Sequence, residues 1–235
     1  MNTSPQKLAK LMARAGYGSR RDCEALIQQG RVSVDGVLVD RVAERFPETA
    51  CITVKGMADQ RAESRRVWCF HKPAGLVTSH RDERHRPTVF DVLPKEIGRV
   101  VSVGRLDLSS EGLLLLTNDG GYAGALEKSD IPRQYRVRVQ GQPKPEQLKA
   151  LADGVVHEGI LYAPVQAELE RTMSGNSWLR FTLTEGKNRE IRRLVEFLGF
   201  RVNRLIRTGF GAIELGDLAQ AKVRELSANE IKSLK

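Results

Sequence analysis

No stretch of uninterrupted apolar residues in this chain is longer than four, as in the leucines at 113–116. A helix that crosses a bilayer needs about 20 predominantly apolar residues in a row. The sequence therefore excludes a helical membrane span and indicates a globular fold of short elements. Hydrophobic residues make up 40% and charged residues 29% of the 235 positions, which is typical of folded chains. This length allows one large domain, or a small and a medium domain.

Cysteine usage and the N-terminal sequence bear on the cellular compartment. The three cysteines, Cys23, Cys51 and Cys69, form no CxxC pair, which fits neither a disulfide scaffold nor a zinc site. Residues 1–16 lack the apolar core and the small-residue cleavage site of a secretory signal. We therefore expect a protein of the reducing cytoplasm.

The chain is basic, with 38 Lys and Arg against 29 Asp and Glu and a pI near 9.7. This balance is typical of nucleic-acid-binding proteins, although many soluble proteins are basic without binding nucleic acid. The distribution is more informative, because residues 185–211 contain seven basic residues, of which six are arginine. The planar guanidinium group suits phosphate and carboxylate partners.

Residues 1–60 are predicted to form a small separate module. A first helix follows from apolar residues with helical spacing, which are Leu8, Leu11, Met12 and Ala15. Gly16 is expected to end that helix in a left-handed conformation. Ser19 and Asp22 form a capping-box pattern for a second helix, which is predicted to run to Gly30. Residues 31–39 indicate a strand, an Asp-Gly turn and a second strand.

Arg20 and Arg21 occupy the first turn of the second predicted helix. The helix dipole disfavours cations at this end by a few tenths of a kcal/mol, so the two charges are candidates for phosphate binding. A solvated helix start without any such role is the alternative.

The remainder of the chain is predicted to be an α+β domain at 67–235, after a polar linker at 61–66. Helices are predicted at 144–153 and 188–198. Strand patterns occur at 67–71, 100–104, 112–117, 134–140, 162–170 and 178–184. We expect a mainly antiparallel sheet.

Two loops at strand ends carry groups that could do chemistry. The HKPAG sequence at 71–75 is a stiff turn that presents Lys72. In residues 104–112, Asp107 could act as a nucleophile or general base. It could instead form an Asx turn with its own backbone, or pair with Glu111 as in a glycosidase.

A third segment, 183–194, ends a strand and begins a helix with several arginines. Arg192 is adjacent to apolar Ile191, so it is expected near the core and in need of a carboxylate partner. A salt-bridged helix face is the alternative. His80, Asp82 and His85 have a spacing that matches no recognised metal site, and we expect no metal.

Together these segments resemble the RsuA/RluB family of bacterial ribosomal-RNA pseudouridine synthases, over nearly the whole chain. The matching motifs are GRLDLSSEGLLLLTNDG at 104–120, HKPAG at 71–75, RPTVFD at 86–91 and EGKNREIRRL at 185–194. Residues 8–36 resemble the S4-type (α-L) RNA-binding domain. The resemblance implies this domain followed by a catalytic domain with a mainly antiparallel mixed sheet flanked by helices. The sequence of residues 203–211 is more similar to the RluB branch, which acts on large-subunit RNA.

The resemblance also implies roles for individual residues. Asp107 matches the nucleophile that acts on the ribose of a flipped-out uridine, Tyr135 matches the tyrosine that packs on the base, and Arg192 matches the basic partner of the aspartate. Asn188 and Arg189 are expected to have no catalytic role. We predict RNA contacts at Arg20, Arg21, Lys72, Arg105, Arg189 and Arg193.

The implied reaction breaks the N1–C1′ bond of uridine and forms a C5–C1′ bond, without redox change or group transfer. The resemblance therefore implies no cofactor and no metal, and a monomer that acts on ribosomal RNA or a ribosomal-subunit precursor. Two alternatives within RNA biology remain: a non-catalytic RNA-binding or ribosome-assembly factor, and a synthase for small-subunit RNA. A sugar-cleaving hydrolase that uses Asp107 and Glu111 is the third.

Overall fold

A computed structural model describes residues 4–58 and 64–234, which pack into two compact units. The first unit contains the described residues up to Arg66, together with 99–101 and 118–122, and the second contains the others. The two later segments of the first unit were not anticipated by domain boundaries at 60 and 67. Part of the predicted linker, 61–63, lies outside the described residues.

The first unit has two helices and several short strands. These elements are β1 (Gln6–Lys7), α1 (Leu8–Ala15), α2 (Arg20–Gln28), β2 (Val32–Val34), β3 (Val37–Val39), β4 (Arg45–Phe46) and β5 (Ile52–Val54). As predicted, α1 ends at a left-handed Gly16, and Ser19 and Asp22 form a capping box at the start of α2. The strands β3, β2 and β5 form an antiparallel sheet, and its core residues cluster with those of both helices.

The second unit is built around one large sheet. Its elements are β6 (Val67–Lys72), β7 (Val101–Ser102), β8 (Ser110–Thr117), α3 (Gly120–Glu127), β9 (Arg133–Gln140), α4 (Pro145–Lys149), β10 (Val155–His157), β11 (Ile160–Tyr162), β12 (Gln166–Met173), β13 (Asn176–Leu183), α5 (Glu190–Phe197), β14 (Arg201–Phe210), β15 (Ile213–Glu214), β16 (Val223–Glu225) and α6 (Ala228–Ser233). The first residues of β7 and α3 belong to the first unit. Short 3₁₀ helices lie at Val89–Val92 and Lys95–Ile97.

The sheet has the strand order β12-β13-β9-β14-β8-β6-β16. All neighbours along this path are antiparallel except β14 and β8, which are parallel. The expected α+β class with a mainly antiparallel mixed sheet is therefore confirmed. Both α4 and α5 contribute to the core on one face of β9 and β13, where Val137, Leu179 and Phe181 are buried.

Two predicted elements differ most from the structure, and a third element was not predicted. The strand expected at 162–170 is divided between β11 and β12, because Pro164 lacks the N–H that a continuous strand would donate. The helix expected at 144–153 ends as α4 at Lys149. The ten-residue strand β14 was not predicted, because the three charged or amide side chains of Arg201, Asn203 and Arg204 obscure the alternation.

Strand β8 lies at the centre of the second unit and is buried along its whole length. Gly112 permits the close approach of β14, because a Cβ at this position would overlap the main-chain carbonyl of Arg207. Gly112 also has a φ of 105°, a conformation that other residues rarely adopt. The first residues of β8, 110–112, are thus held close to 205–207 of β14. No helix in the described part of the chain is long and apolar enough to cross a membrane.

Candidate active site

The loop before β8 presents Asp107 to a cleft of about 370 Å³ in the second unit. The N–H of Ser110 donates to the main-chain carbonyl of Asp107 at 3.0 Å, which closes a turn between them. The carboxylate is not used to close this turn, so the alternative of an Asx turn does not hold. The side chain of Asp107 is 31% exposed and is available to a ligand in the cleft.

Lys72 holds this loop by hydrogen bonds from the protein interior. Its side chain is fully buried, and its Nζ donates to the carbonyl oxygens of Pro73 at 3.0 Å, Asp107 at 3.2 Å and Ser110 at 2.8 Å. Burial lowers the pKa of Lys72 to about 8, although the carboxylates of Asp107 and Glu111 act in the opposite direction. The predicted RNA contact of Lys72 does not fit this position, because no part of its side chain reaches the surface.

Two arginines from the start of α5 approach the carboxylate of Asp107. The Nε of Arg192 and the Nη1 of Arg189 each lie 3.8 Å from its Oδ2. This separation is that of an ion pair rather than a hydrogen bond. The expectation that Arg192 has a carboxylate partner is confirmed by this contact. Arg189 is also an ionic partner of Asp107, whereas the sequence predicted only an RNA contact for it.

Arg192 is the more buried of the two, with a side chain that is 15% exposed against 51% for Arg189. Its Nη2 donates to the Oγ of Ser109 at 2.8 Å, which anchors the guanidinium group beside the loop. Burial lowers the pKa of Arg192, the charge of Arg189 lowers it further, and Asp107 opposes both effects. Arg189 itself has a left-handed backbone at the residue before α5, with a φ of 52°.

Tyr135 lies on β9 and lines the same cleft as Asp107. In the sheet it is paired with Phe181 of β13 on one side and with Arg207 of β14 on the other. Its ring packs against the buried core and is partly exposed. The structure therefore brings together Asp107, Arg192 and Tyr135, which come from three separate segments of the chain.

The other predicted RNA contacts lie in different places. Arg105 is exposed and lines the cleft. Arg193 lies on α5 next to Arg192, but its Nη1 contacts the hydroxyl of Tyr162 at 3.5 Å and Glu158 at 3.9 Å, outside the cleft lining. Arg20 and Arg21 are exposed at the start of α2 in the first unit, as predicted.

Two buried arginines at the base of the cleft were not predicted. The Nε of Arg207 donates to the carbonyl of Leu113 at 2.6 Å, while its Nη2 is buried without a hydrogen-bond partner among the described residues. Arg133 donates to the carbonyls of Leu126 and Glu127 at the end of α3, and burial lowers its pKa. The alternation of Arg133, Tyr135 and Val137 along β9 is the sequence signal that puts Arg133 on the cleft side.

Glu111 does not form a catalytic pair with Asp107. Both of its oxygens accept from Arg204, at 2.9 and 2.8 Å, and Gln220 donates to Oε2 at 3.1 Å. These bonds to Arg204 lower the pKa of Glu111. Glu111 is not part of the cleft lining, so the glycosidase alternative loses its second carboxylate.

The group at 80–85 is held by contacts within its own loop. His80 stacks on Phe90 with ring centroids 3.6 Å apart, and both oxygens of Asp82 accept from Arg86. These bonds lower the pKa of Asp82. Within residues 4–58 and 64–234, no cluster of three metal-ligating side chains occurs.

Comparison with known proteins adds to this geometry. The model of the RNA pseudouridylate synthase family matches residues 66–197, and that of the S4 domain matches residues 6–48. An uncharacterized RNA pseudouridine synthase of Rickettsia bellii is 45% identical over 224 residues, which cover 94% of this chain and 97% of that protein. The ribosomal large subunit pseudouridine synthase B of Yersinia pestis is 43% identical over 219 residues, covering 89% of this chain and 69% of that protein.

A solved structure described as a pseudouridylate synthase has the same fold, with a TM-score of 0.70 over 97% of this chain and 99% of that one. The sequence identity is 24%, so this likeness concerns the fold.

Proposed function

The chain belongs to the RNA pseudouridylate synthase family, and from this premise we propose that it converts a specific uridine of large-subunit ribosomal RNA to pseudouridine, with Asp107 as the nucleophile. The single observation that supports the site best is the approach of Arg192 to Asp107 in a cleft that Tyr135 also lines. The large-subunit target is supported by the similarity to the Yersinia pestis protein, whose name specifies that subunit.

The reaction requires a group that attacks the ribose and then leaves it. In our proposal the carboxylate of Asp107 attacks C1′, the N1–C1′ bond breaks, and uracil leaves as an anion. After the base rotates, C5 bonds to C1′ and Asp107 is released. The C5 proton is lost and N1 gains a proton, so the product is an isomer of the substrate. A carboxylate in a partly exposed position meets this requirement.

Arg192 and Arg189 support the charge of the nucleophile. A guanidinium group remains protonated at any physiological pH, so the two arginines keep positive charge beside the carboxylate. Because Arg192 is anchored by Ser109, its charge is fixed before substrate binds. Preorganised charge of this kind is an effective source of transition-state stabilisation.

The cleft is large enough to hold a base that has left its helical stack. Its volume of about 370 Å³ lies in the range of about 300–1,000 Å³ for small-molecule sites. An enzyme that acts on C1′ must reach a nucleotide that has been flipped out, at a cost of a few kcal/mol. Packing of the flipped base on Tyr135 would return about 1–3 kcal/mol, and the buried charge of Arg207 would stabilise the departing uracil anion.

The first unit supplies contacts to the RNA backbone in our proposal. The S4 domain model covers residues 6–48, which include Arg20 and Arg21. Both side chains are exposed at the start of α2, where a phosphate group would also be attracted by the positive end of the helix dipole. A monomer that acts on ribosomal RNA in the cytoplasm is the corresponding proposal for its state and location.

The proposal is tested with transcripts of large-subunit and small-subunit ribosomal RNA that carry tritium at C5 of uridine. Each event that forms the C5–C1′ bond releases the tritium to water. We expect release from the large-subunit transcript with the wild-type protein and none with Asp107→Asn, which is nearly isosteric but lacks the charge. The exposed Asp217→Asn is the matched control and is expected to act as the wild type does.

Release from the small-subunit transcript alone would overturn the target but leave the reaction in place. Binding to both RNAs without release from either, in a correctly folded protein, would favour the non-catalytic RNA-binding alternative. Retained release by Asp107→Asn would remove Asp107 from the mechanism.

A further inference from the structure

The sheet of the second unit has a second functional candidate on the face opposite the cleft. Along β9, Tyr135, Val137 and Val139 point to the cleft and core, so Arg136 and Arg138 point the other way. Cross-strand pairing places further side chains on that side. We call this the outer face, and its basic and aromatic members are Arg136, Arg138, Arg171, Trp178, Arg180, Arg201 and Arg204.

Four of these residues form one row across the sheet. Arg171 of β12 pairs with Trp178 of β13, which pairs with Arg138 of β9, which pairs with Arg204 of β14. Adjacent strands are about 4.8 Å apart, so the row spans about 14 Å. Directly beside it, Arg180 of β13 pairs with Arg136 of β9. The guanidinium groups therefore form a band and not an isolated charge.

The outer face has more positive than negative charge. Six arginines stand against four glutamates on the same face, which are Glu111, Glu168, Glu170 and Glu214. Glu170 is shared by Arg136 at 2.8 Å and Arg180 at 3.8 Å, and Glu111 is bound by Arg204 at 2.8 Å. Arg138, Arg171 and Arg201 have no ionic partner in the part of the chain that the structure describes. Their charges are available to an external anion.

The aromatic ring in the band is also partly accessible. Trp178 is half-buried, and the guanidinium carbon of Arg136 lies 4.4 Å from its ring centroid. The same Arg136 is bound to Glu170, so its position against the indole is fixed. An ordered arginine stacked on tryptophan, with free arginines on either side, is a combination that binds nucleotides by stacking and phosphate contact.

We propose that the outer face binds the phosphate backbone of a second segment of the RNA substrate, remote in the RNA from the uridine in the cleft. This inference rests on the proposed function for the identity of the RNA. The band matches a linear array of phosphates better than a compact anion, because the free charges lie on β9, β12 and β14 instead of converging on one point. Guanidinium groups and an aromatic ring are the usual partners of RNA on such a surface.

The test compares the full chain with a triple variant, Arg138→Gln, Arg171→Gln and Arg201→Gln. Binding is measured by titration over a range of salt concentrations with two probes: the complete large-subunit RNA transcript and a short stem–loop that holds the modified uridine. For the complete transcript we expect at least about a tenfold loss of affinity at low salt, and a salt slope that falls by about 2–3. For the stem–loop we expect unchanged affinity and an unchanged rate of tritium release.

Two further variants keep the result interpretable. Arg171→Gln with Arg201→Gln changes only exposed side chains and covers the case in which loss of Arg138, whose Nε is buried, disturbs the fold. Lys95→Gln with Lys149→Gln removes the same charge as this double variant from exposed positions off the outer face, and is expected to reduce the slope less.

Equal losses with the outer-face double variant and the lysine control would overturn the proposal, because the effect would then be one of total charge. Unchanged affinity and slope for the complete transcript would overturn it as well. If the variant lost affinity for polyglutamate but not for RNA, the face would bind an acidic protein instead. These binding results do not depend on turnover, so failure of the proposed reaction would be recognised separately, by absence of tritium release.

Discussion

The Nε of Arg192 lies 3.8 Å from the Oδ2 of Asp107, and this nitrogen is buried without a hydrogen-bond partner among the described residues. The separation is about 1 Å longer than a charge-assisted hydrogen bond. The carboxylate is therefore attracted by the guanidinium group but not held by it. This arrangement suits a nucleophile, which must keep its charge and still move onto C1′ of the substrate.

The first prediction concerns the two arginines that share Asp107. Arg192→Gln is expected to lower kcat/KM by about 10²–10³-fold, because it removes a fixed, largely buried charge next to Asp107, the proposed nucleophile. Arg189→Gln is expected to cost much less, because the Arg189 side chain is half exposed and its charge is screened by solvent. Tritium release under single-turnover conditions measures both effects. A larger loss with Arg189→Gln would contradict the order that we assign.

The second prediction separates packing from proton transfer at Tyr135. Tyr135→Phe preserves the ring and is expected to react at nearly the wild-type rate. Tyr135→Ala is expected to lose between about fivefold and 150-fold in kcat/KM, which corresponds to about 1–3 kcal/mol of stacking. The pair of rates is measured on one RNA. A strong loss with Tyr135→Phe would assign the hydroxyl to acid–base chemistry.

The third prediction uses the buried Lys72. Its pKa of about 8 lies below the value of about 10.4 for an unfolded chain, so the unfolded state binds more protons between these values. The contribution of Lys72 to the free energy of unfolding therefore rises with pH through this window, by about 3 kcal/mol at most. Below pH 8 the charge is present in both states and this contribution is at its lowest.

The measurement for Lys72 is the difference in the free energy of unfolding between wild type and Lys72→Met, determined from pH 7 to 10.5 by denaturant titration. Burial raises the pKa of Cys23 and Cys69 to about 11, which destabilises the fold at high pH, but both proteins contain these thiols and the effect cancels in the difference. A difference that stays flat or declines from pH 8 to 10.4 would contradict the assignment. Lys72→Met is also expected to slow turnover, because the Asp107 loop loses its donor.

The fourth prediction addresses the first unit. Arg20→Gln with Arg21→Gln is expected to weaken binding of the complete RNA transcript and to reduce its salt slope by about 1–2. Turnover of bound RNA should be unaffected, because neither side chain is part of the cleft. The control is Lys55→Gln with Arg41→Gln, which removes two exposed charges elsewhere in the same unit. An unchanged slope for the arginine pair would exclude the phosphate contacts.

Local patterns were sufficient to predict much of this molecule. Apolar spacing and capping residues define α1 and α2. A carboxylate at a strand end made Asp107 one candidate for chemistry, but only the resemblance to the RsuA/RluB family implied its role as the nucleophile. The position of Arg192 next to Ile191 predicted a carboxylate partner, and the resemblance implied that this partner is Asp107.

Features that depend on distant segments were not accessible in this way. Lys72 was assigned to RNA, but its three acceptors are main-chain carbonyls that only the folded loop brings together. Glu111 was a candidate partner of Asp107. Successive residues of β8 face opposite sides of the sheet, however, and Glu111 lies on the side where it binds Arg204. Arg207 is buried where Gly112 lets β8 and β14 approach closely, a contact that no periodicity reveals.

The most direct test of the central claim is a pseudouridine map of ribosomal RNA from cells that lack this protein, rescued with wild type, Asp107→Asn or the control Asp217→Asn. We predict that one position in the large-subunit RNA loses its pseudouridine, that wild type and the control restore it, and that Asp107→Asn does not. A map without any missing pseudouridine, or restoration by Asp107→Asn, would contradict the account.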